Sequence, residues 1–430
     1  MAAAQVAPTA PRRGLPAVTD SVRMLPGTPL TFDAFYDLVS RYHPVVRQAR
    51  LIEDGAEGDV TAAFGNFEPK FEASWQAKRF GTSPTSTQSL YYNYADVSLK
   101  IPTPFGADFK VGYERASGRF INPQFTTPNN GLFSAGFSLP LGQRILTDER
   151  RTQLRVARAL REVAQAERIG MTNKLLFAAA KSYAEWYSSA LQLQVIRDGV
   201  RLADVRFNAI AGRVRAGDAA GIDSIEAAAE LNRRRAQLQG AEQAYFGASM
   251  DLTSYLWDAR GQPRDLIAGS VPSDSGLGRV VLDSASVPQL LARVLALHPD
   301  VRKAEGKATQ AGAERSLARQ AMIPLASADL QVRETRRDVT LLVRTAINDL
   351  SLFEAQLALQ RDAVRLFRIL SAGEQAKFDA GESNLFLVNT RERQVLDEEL
   401  KYVALQAKYL ASRAALAVAA GAPGRLPELR

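Results

Sequence analysis

Between Leu146 and Arg215 the chain runs 70 residues without a proline. Good helix formers, Ala, Leu, Arg, Glu and Gln, dominate the stretch. Val156, Leu160 and Val163 follow the alternating four-and-three spacing of a coiled-coil seam. A helix of this length exceeds the usual 8–20 residues of globular proteins, so it needs partner helices along its whole course. The sequence supplies candidates: a returning helix from about Asp223 to Trp257, then a second pair rising from Arg333 to Lys377 and returning from Asn384 to Ala420.

The pairs belong to a duplication. The two histidines of the chain stand in matching contexts, Tyr42-His43-Pro44-Val45-Val46-Arg47-Gln48-Ala49 and Leu297-His298-Pro299-Asp300-Val301-Arg302-Lys303-Ala304, 255 residues apart. Each follows a short amphipathic helix and opens a longer one, with Pro in the first turn where its missing N–H costs nothing. The histidines are therefore expected to be structural. Val214-Arg215-Ala216-Gly217-Asp218 likewise matches Lys377-Phe378-Asp379-Ala380-Gly381-Glu382, with the glycines 164 residues apart. Each reads as the tip of a helical hairpin, because glycine takes the left-handed conformation that ends a helix. The second half is thus 91 residues shorter between its landmarks.

Composition narrows the function. With no Cys and two His among 430 residues, thiolate chemistry, Fe–S clusters, Cys-zinc sites and disulfides are out, and histidine catalysis has little to work with. No phosphate-binding glycine loop and no Ser-His-Asp constellation is visible. The expectation is a protein that is not an enzyme, with no catalytic residue, cofactor or metal. A net charge of +8 is modest for this length and is no nucleic-acid signature. Arg150-Arg151 and Arg233-Arg234-Arg235 read as solvated or helix-pairing faces. Residues 1–28 lack a continuous apolar run and read as a disordered tail or the remainder of a small-residue cleavage site.

Residues 69–141 have another texture: 13 aromatics, about 18% against 8% for the chain. Phe71, Ala73, Trp75 and Ala77 alternate with polar neighbours. So do Ala95, Val97, Leu99 and Ile101; Phe109, Val111 and Tyr113; and Phe133, Ala135, Phe137 and Leu139. Four such segments of about ten residues suit tilted outer-membrane strands. So few strands cannot close a barrel alone, and lipid tolerates no open sheet edge, so strands would have to come from several chains. A sheet packed on the helical body is the other reading of the strands alone.

The order of short helix, His-Pro helix, strands, very long helix, glycine tip and returning helix, then repeated, resembles the TolC-type outer-membrane efflux protein family from about Leu30 to Ala420. The two His-Pro segments carry the resemblance, with Phe137–Leu141, Arg215-Ala-Gly-Asp-Ala-Ala-Gly-Ile-Asp223-Ser-Ile-Glu226 and Ala380-Gly-Glu-Ser-Asn-Leu-Phe-Leu-Val388-Asn. It implies a mainly α fold with a β membrane portion. In such a fold, helical hairpins form a trimeric α-barrel in the periplasm, and strands pool into one outer-membrane β-barrel. It implies a passive exit duct of a tripartite efflux or type I secretion system. The partners would be two further copies, a periplasmic adaptor, an inner-membrane pump and outer-membrane lipid, with no nucleic acid. Adaptor docking would fall on the tips, Ala216, Gly217 and Asp218 with Ala380, Gly381 and Glu382. Asp223 and Glu226 match family positions that line the periplasmic aperture. With Glu230 they share a helix face, but Asp223-x-x-Glu226 is also a capping box. In the second repeat Leu387 and Thr390 stand at those positions. A periplasmic coiled-coil scaffold or adaptor without a pore is the alternative function.

The expected boundaries are residues 29–285 for the first repeat, with helices 30–64, strands 69–141, hairpin 146–258 and linker 259–285. The second repeat spans 286–420, with helices 286–322, a truncated strand region 323–332 and hairpin 333–420; a tail of 421–430 follows. One departure from the family stands out. The family carries strands in both halves, whereas here Met322 to Leu330 begins like a strand and Arg333 is already helical. A deletion, or a gap in the chain as given, is expected near Val332 and Arg333, taking strands and the lower part of one long helix.

Overall fold

The computed structural model describes residues 29–80, 90–104, 106–119, 126–139, 148–266, 270–273, 286–317 and 322–421. The expected tails, most of the second half of the linker and the segments at 81–89 and 140–147 lie outside them. Within the described residues, α1 (Phe32–Tyr42) and α2 (Pro44–Phe64) lead to strands β1 (Lys70–Phe80), β2 (Leu90–Pro102), β3 (Asp108–Arg119) and β4 (Leu132–Ser138). Then come α3 (Glu149–Ala216) and α4 (Gly221–Thr253). The second repeat holds α5 (Val287–Leu297), α6 (Pro299–Leu317), α7 (Met322–Asp379) and α8 (Leu385–Ala419).

The helix α3 has 68 residues, about 100 Å at 1.5 Å per residue. It starts where the Asp148 side chain accepts the Arg151 N–H at 2.7 Å, a capping bond that satisfies one free donor of the first turn. It packs on α2, α4, α6 and α8, and α8 packs on α7. The helices thus form a layer whose outer members toward the tips are α4 and α7. The main core lies around α3, where Tyr183 and Trp186 are fully buried with Phe35 and Val39 of α1 and Leu252 of α4. Both polar handles in this core are used: the Tyr183 hydroxyl donates to the Leu30 carbonyl at 2.7 Å, and Trp186 Nε1 donates to Ser249 Oγ at 3.1 Å. A second core joins Leu290, Val294 and Val301 to Val343 and Leu350 of α7 and Leu416 of α8.

The duplication is visible in bonds. His43 Nδ1 accepts the Val45 N–H and His298 Nδ1 accepts the Asp300 N–H, both at 3.2 Å. The histidines are helix caps. The hairpin tips are also twins. Gly217 and Gly381 sit at φ of 83° and 81°. Asp218 N–H reaches Arg213 O and Glu382 N–H reaches Lys377 O, each at 2.8 Å. That six-to-one bond is the Schellman closure of a helix end.

The second repeat corrects one expectation. Residues 323–332 are not a strand remnant; they are the first turns of α7, which runs unbroken through Val332 and Arg333 to Asp379. Pro324 falls in the first turn, where the N–H groups have no intrahelical acceptor to lose. Leu325-Ala-Ser-Ala-Asp-Leu330 then extends an established helix, which is cheap compared with founding a strand that has no neighbour to pair with. The helical shortfall is also smaller than expected, since α7 has 58 residues against 68 in α3. Most of the 91-residue difference is the sheet itself: residues 65–148 separate α2 from α3, whereas 318–321 alone separate α6 from α7.

Candidate functional site

Two regions, the sheet at the start of α3 and the tips at its end, carry the features that suggest function. The four strands form one antiparallel meander in the order β1-β2-β3-β4. Register puts the alternating residues into rows. Phe71, Leu99, Val111 and Ala135 stand side by side, as do Ala73, Val97, Tyr113 and Phe133. Trp75 with Ala95, and Ile101, Phe109 and Phe137, extend the same face. The opposite face carries Lys70, Lys100 and Lys110 in one row and Ser74, Asp96 and Glu114 in another. One face is mainly apolar, with Arg115, Arg79 and Arg119 toward the end away from α3, and the other is mainly polar and charged, with Tyr92 and Tyr94 at that same end. None of the described residues covers the apolar face: Phe71 is 70% exposed, Trp75 71%, Phe133 78% and Phe137 71%. A contiguous apolar surface of this kind marks contact with lipid or another protein. The strands of 11, 13, 12 and 7 residues bracket the roughly 9–11 needed to cross a bilayer when tilted. At the base of the sheet Asp108 accepts from Arg150 of α3 at 2.8 Å, and Lys100 lies 3.5 Å away. These bonds lock the sheet to the first turn of α3. No helix among the described residues is long and apolar enough to cross a membrane.

At the other end, the tips place Ala216, Gly217 and Asp218 beside the start of α4, and Ala380, Gly381 and Glu382 beside the start of α8. The capping-box expectation fails here. The α4 helix begins at Gly221 with Ala220 at the cap and no side-chain capping bond, so Asp223 already lies in the first turn. In the second repeat Asn384 holds the equivalent place and its side chain accepts the Leu387 N–H at 2.9 Å. Glu226 instead accepts from Asn389 Nδ2 of α8 at 3.3 Å, and Glu230 is held by Arg234 at 2.9 Å and Arg233 at 2.6 Å. The three carboxylates do share one half-buried face, but two of them are engaged.

Sequence reasoning missed what engages them. Arg234, 3% exposed, bridges Glu230 to Glu392 of α8 at 3.4 Å. Glu392 also takes Arg206 of α3 at 2.5 Å. Arg206 further reaches Gln375 of α7 at 3.0 Å and Asn389 at 3.4 Å. One charged network therefore ties all four long helices together. Burial pushes the Glu230 carboxyl up, but the two arginines outweigh it and leave the pKa below the ordinary carboxylate value. The signal was present in the sequence. Ala227, Leu231 and Arg234, and Leu385, Val388, Glu392 and Leu396, fall on the buried stripes of their helices, so a charge stands where an apolar residue is due. Arg233 and Arg235 pair on the surface, the latter with Asp204 at 3.1 Å, as helix-pairing faces should. Among the described residues no group of His, Asp and Glu could hold a metal ion.

No protein-family model matches the sequence, and no curated protein matches it. Solved structures do. The chain is similar to the CmeC outer membrane channel of Campylobacter jejuni, at 12% identity and a TM-score of 0.64 over 91% of this chain and 85% of that one. It is similar to the outer membrane protein VceC of Vibrio cholerae, at 13% and 0.62 over 91% and 96%. It is similar to the open MtrE outer membrane channel of Neisseria gonorrhoeae, at 15% and 0.66 over 91% and 89%. The chain has the fold of the TolC-type outer-membrane channels, long helical hairpins with a small antiparallel sheet.

Proposed function

We propose that this protein is an outer-membrane exit duct of a tripartite efflux or type I secretion system. The two-faced sheet carries the reading. Its apolar face suits lipid, its polar face suits a water-filled lumen, and it stands about 100 Å along α3 from the tips. The likeness to outer-membrane channels supports the same conclusion. In this reading the chain is a homotrimer, the helices extend into the periplasm, and cargo moves passively, driven by an inner-membrane pump. The tips at Gly217 and Gly381 dock a periplasmic adaptor, and Asp223 and Glu226 line the aperture beside them. The test is direct. The protein should stay with outer membranes through alkaline extraction and should open channels in planar bilayers. Release into the soluble fraction together with silent bilayers would sink the duct and leave a poreless periplasmic scaffold.

A further inference from the structure

Among the described residues the sheet has two free edges, β1 and β4, and they differ in how they are protected. β1 carries Lys70, Lys78 and Arg79. β4, Leu-Phe-Ser-Ala-Gly-Phe-Ser, has no charge, no proline and every residue exposed. Natural edge strands that end in solvent are blunted by charge, proline or bulges, and one that ends in lipid would leave several kcal/mol of backbone polar groups unmet at each unpaired site. β4 is built to be paired. Its four-strand meander also has an even count, so β1 and β4 run in opposite directions, and β4 of one copy meets β1 of the next as an antiparallel neighbour. Every copy then offers one donor edge and one acceptor edge, a head-to-tail contact that closes into a ring.

We infer, resting on the duct reading above, that the membrane barrel is built wholly from the first repeat: each copy contributes one continuous meander, sealed to the next copy by β4 against β1. The second repeat adds no strand, because α6 and α7 are separated only by residues 318–321 and α7 is helical from Met322. Strand arithmetic agrees with the three copies of the duct reading. One copy gives four strands, too few to close. Two give eight, an interior just wide enough to be filled by side chains. Three give twelve and a wider interior, with the row of Lys70, Lys100 and Lys110 facing it in triplicate. The helical layer agrees, because its outer helices carry uncovered apolar residues. On α7, Leu352, Leu359 and Leu366 repeat every seven residues and are exposed, and on α4 Ile225 and Phe246 are exposed. A heptad stripe of this kind seeks a partner helix.

The absence of cysteine makes the seam easy to probe. Ala73→Cys, Ser74→Cys and Ala77→Cys on β1 would be combined with Ser134→Cys or Ala135→Cys on β4, and the detergent-extracted protein treated with a short bis-maleimide. Ala73→Cys with Val97→Cys, direct neighbours within the sheet, is the intramolecular control. At least one β1–β4 combination is expected to convert most of the protein into a covalent trimer on denaturing gels, while single-cysteine parents stay monomeric. A conducting trimer whose control pair links but whose β1–β4 combinations all fail would overturn the seam and leave the duct standing. A wild-type chain that forms neither trimer nor channel would overturn the duct, and the seam with it.

Discussion

His43 and His298 hold helix starts through Nδ1, which accepts a hydrogen bond only while unprotonated. Burial lowers both imidazole pKa values, with Asp300 opposing it at His298. Folded pKa values below the unfolded one mean that the stabilisation is full above about pH 6.5 and is lost as pH falls through the folded values. Thermal unfolding of the detergent-extracted protein should therefore weaken on acidification from about pH 6.5. The His43→Asn/His298→Asn variant keeps cap acceptors and should flatten that part of the profile. Glu230, also depressed, contributes its own loss at lower pH, and that part should persist in the variant. Ala220 offers the converse test. Its backbone is extended as a cap requires (φ −73°, ψ 145°) but it has no acceptor, so Ala220→Asn should copy Asn384 and stabilise by about 1 kcal/mol in denaturant unfolding. The charged network has larger stakes. Arg234→Ala takes one of two arginine partners from each of two carboxylates that are 10% exposed, leaving Arg233 on Glu230 and Arg206 on Glu392, and should cost about 1.5–3 kcal/mol. Arg235→Ala removes an exposed pair and should cost at most about 1 kcal/mol. Equal losses for the two arginines in melting experiments would remove the case for a helix-binding network.

At the scale of elements, α7 is where expectation and structure part. Ala328→Pro would sit past the first turn and break an intrahelical bond, costing about 3 kcal/mol or more, with loss of helical signal in circular dichroism. An unchanged spectrum would restore the strand reading of 323–332. Strands β1 to β4, both hairpins and both His-Pro junctions were legible because each has a strong local signature: period-two alternation, a glycine tip, a proline in the first turn. The start of α7 was not, because Leu325-Ala-Ser-Ala-Asp-Leu330 alternates like a strand and propagates like a helix, and only the absence of a pairing neighbour decides. The residues proposed for the aperture, Asp223 and Glu226, were half legible. Their shared face follows from spacing, but the partner of Glu226, Asn389, depends on how α8 lies against α4, and no spacing along one helix encodes that.

For the whole molecule, the two faces of the sheet set the requirement for assembly. Trp75 and Gln76 are consecutive mid-strand residues on opposite faces. Trp75→Lys places a charge on the face assigned to lipid and should cost about 2–4 kcal/mol, whereas Gln76→Lys on the polar face should cost close to nothing. The yield of membrane-assembled protein reads the difference, and equal yields would refute the facing. The same asymmetry between repeats has a mechanical side. Each copy is joined to its sheet at only two covalent points, α2 into β1 and β4 into α3, both in the first repeat. In the duct reading the hairpin of α3 and α4 is a mast stepped in the membrane, and the hairpin of α7 and α8 is a boom lashed to it by packing and by Arg206, Arg234 and Glu392. Slackening that lashing frees the boom without straining the barrel. In Arg206→Ala, spin labels placed near Gly381 should show a broader distance distribution than labels near Gly217.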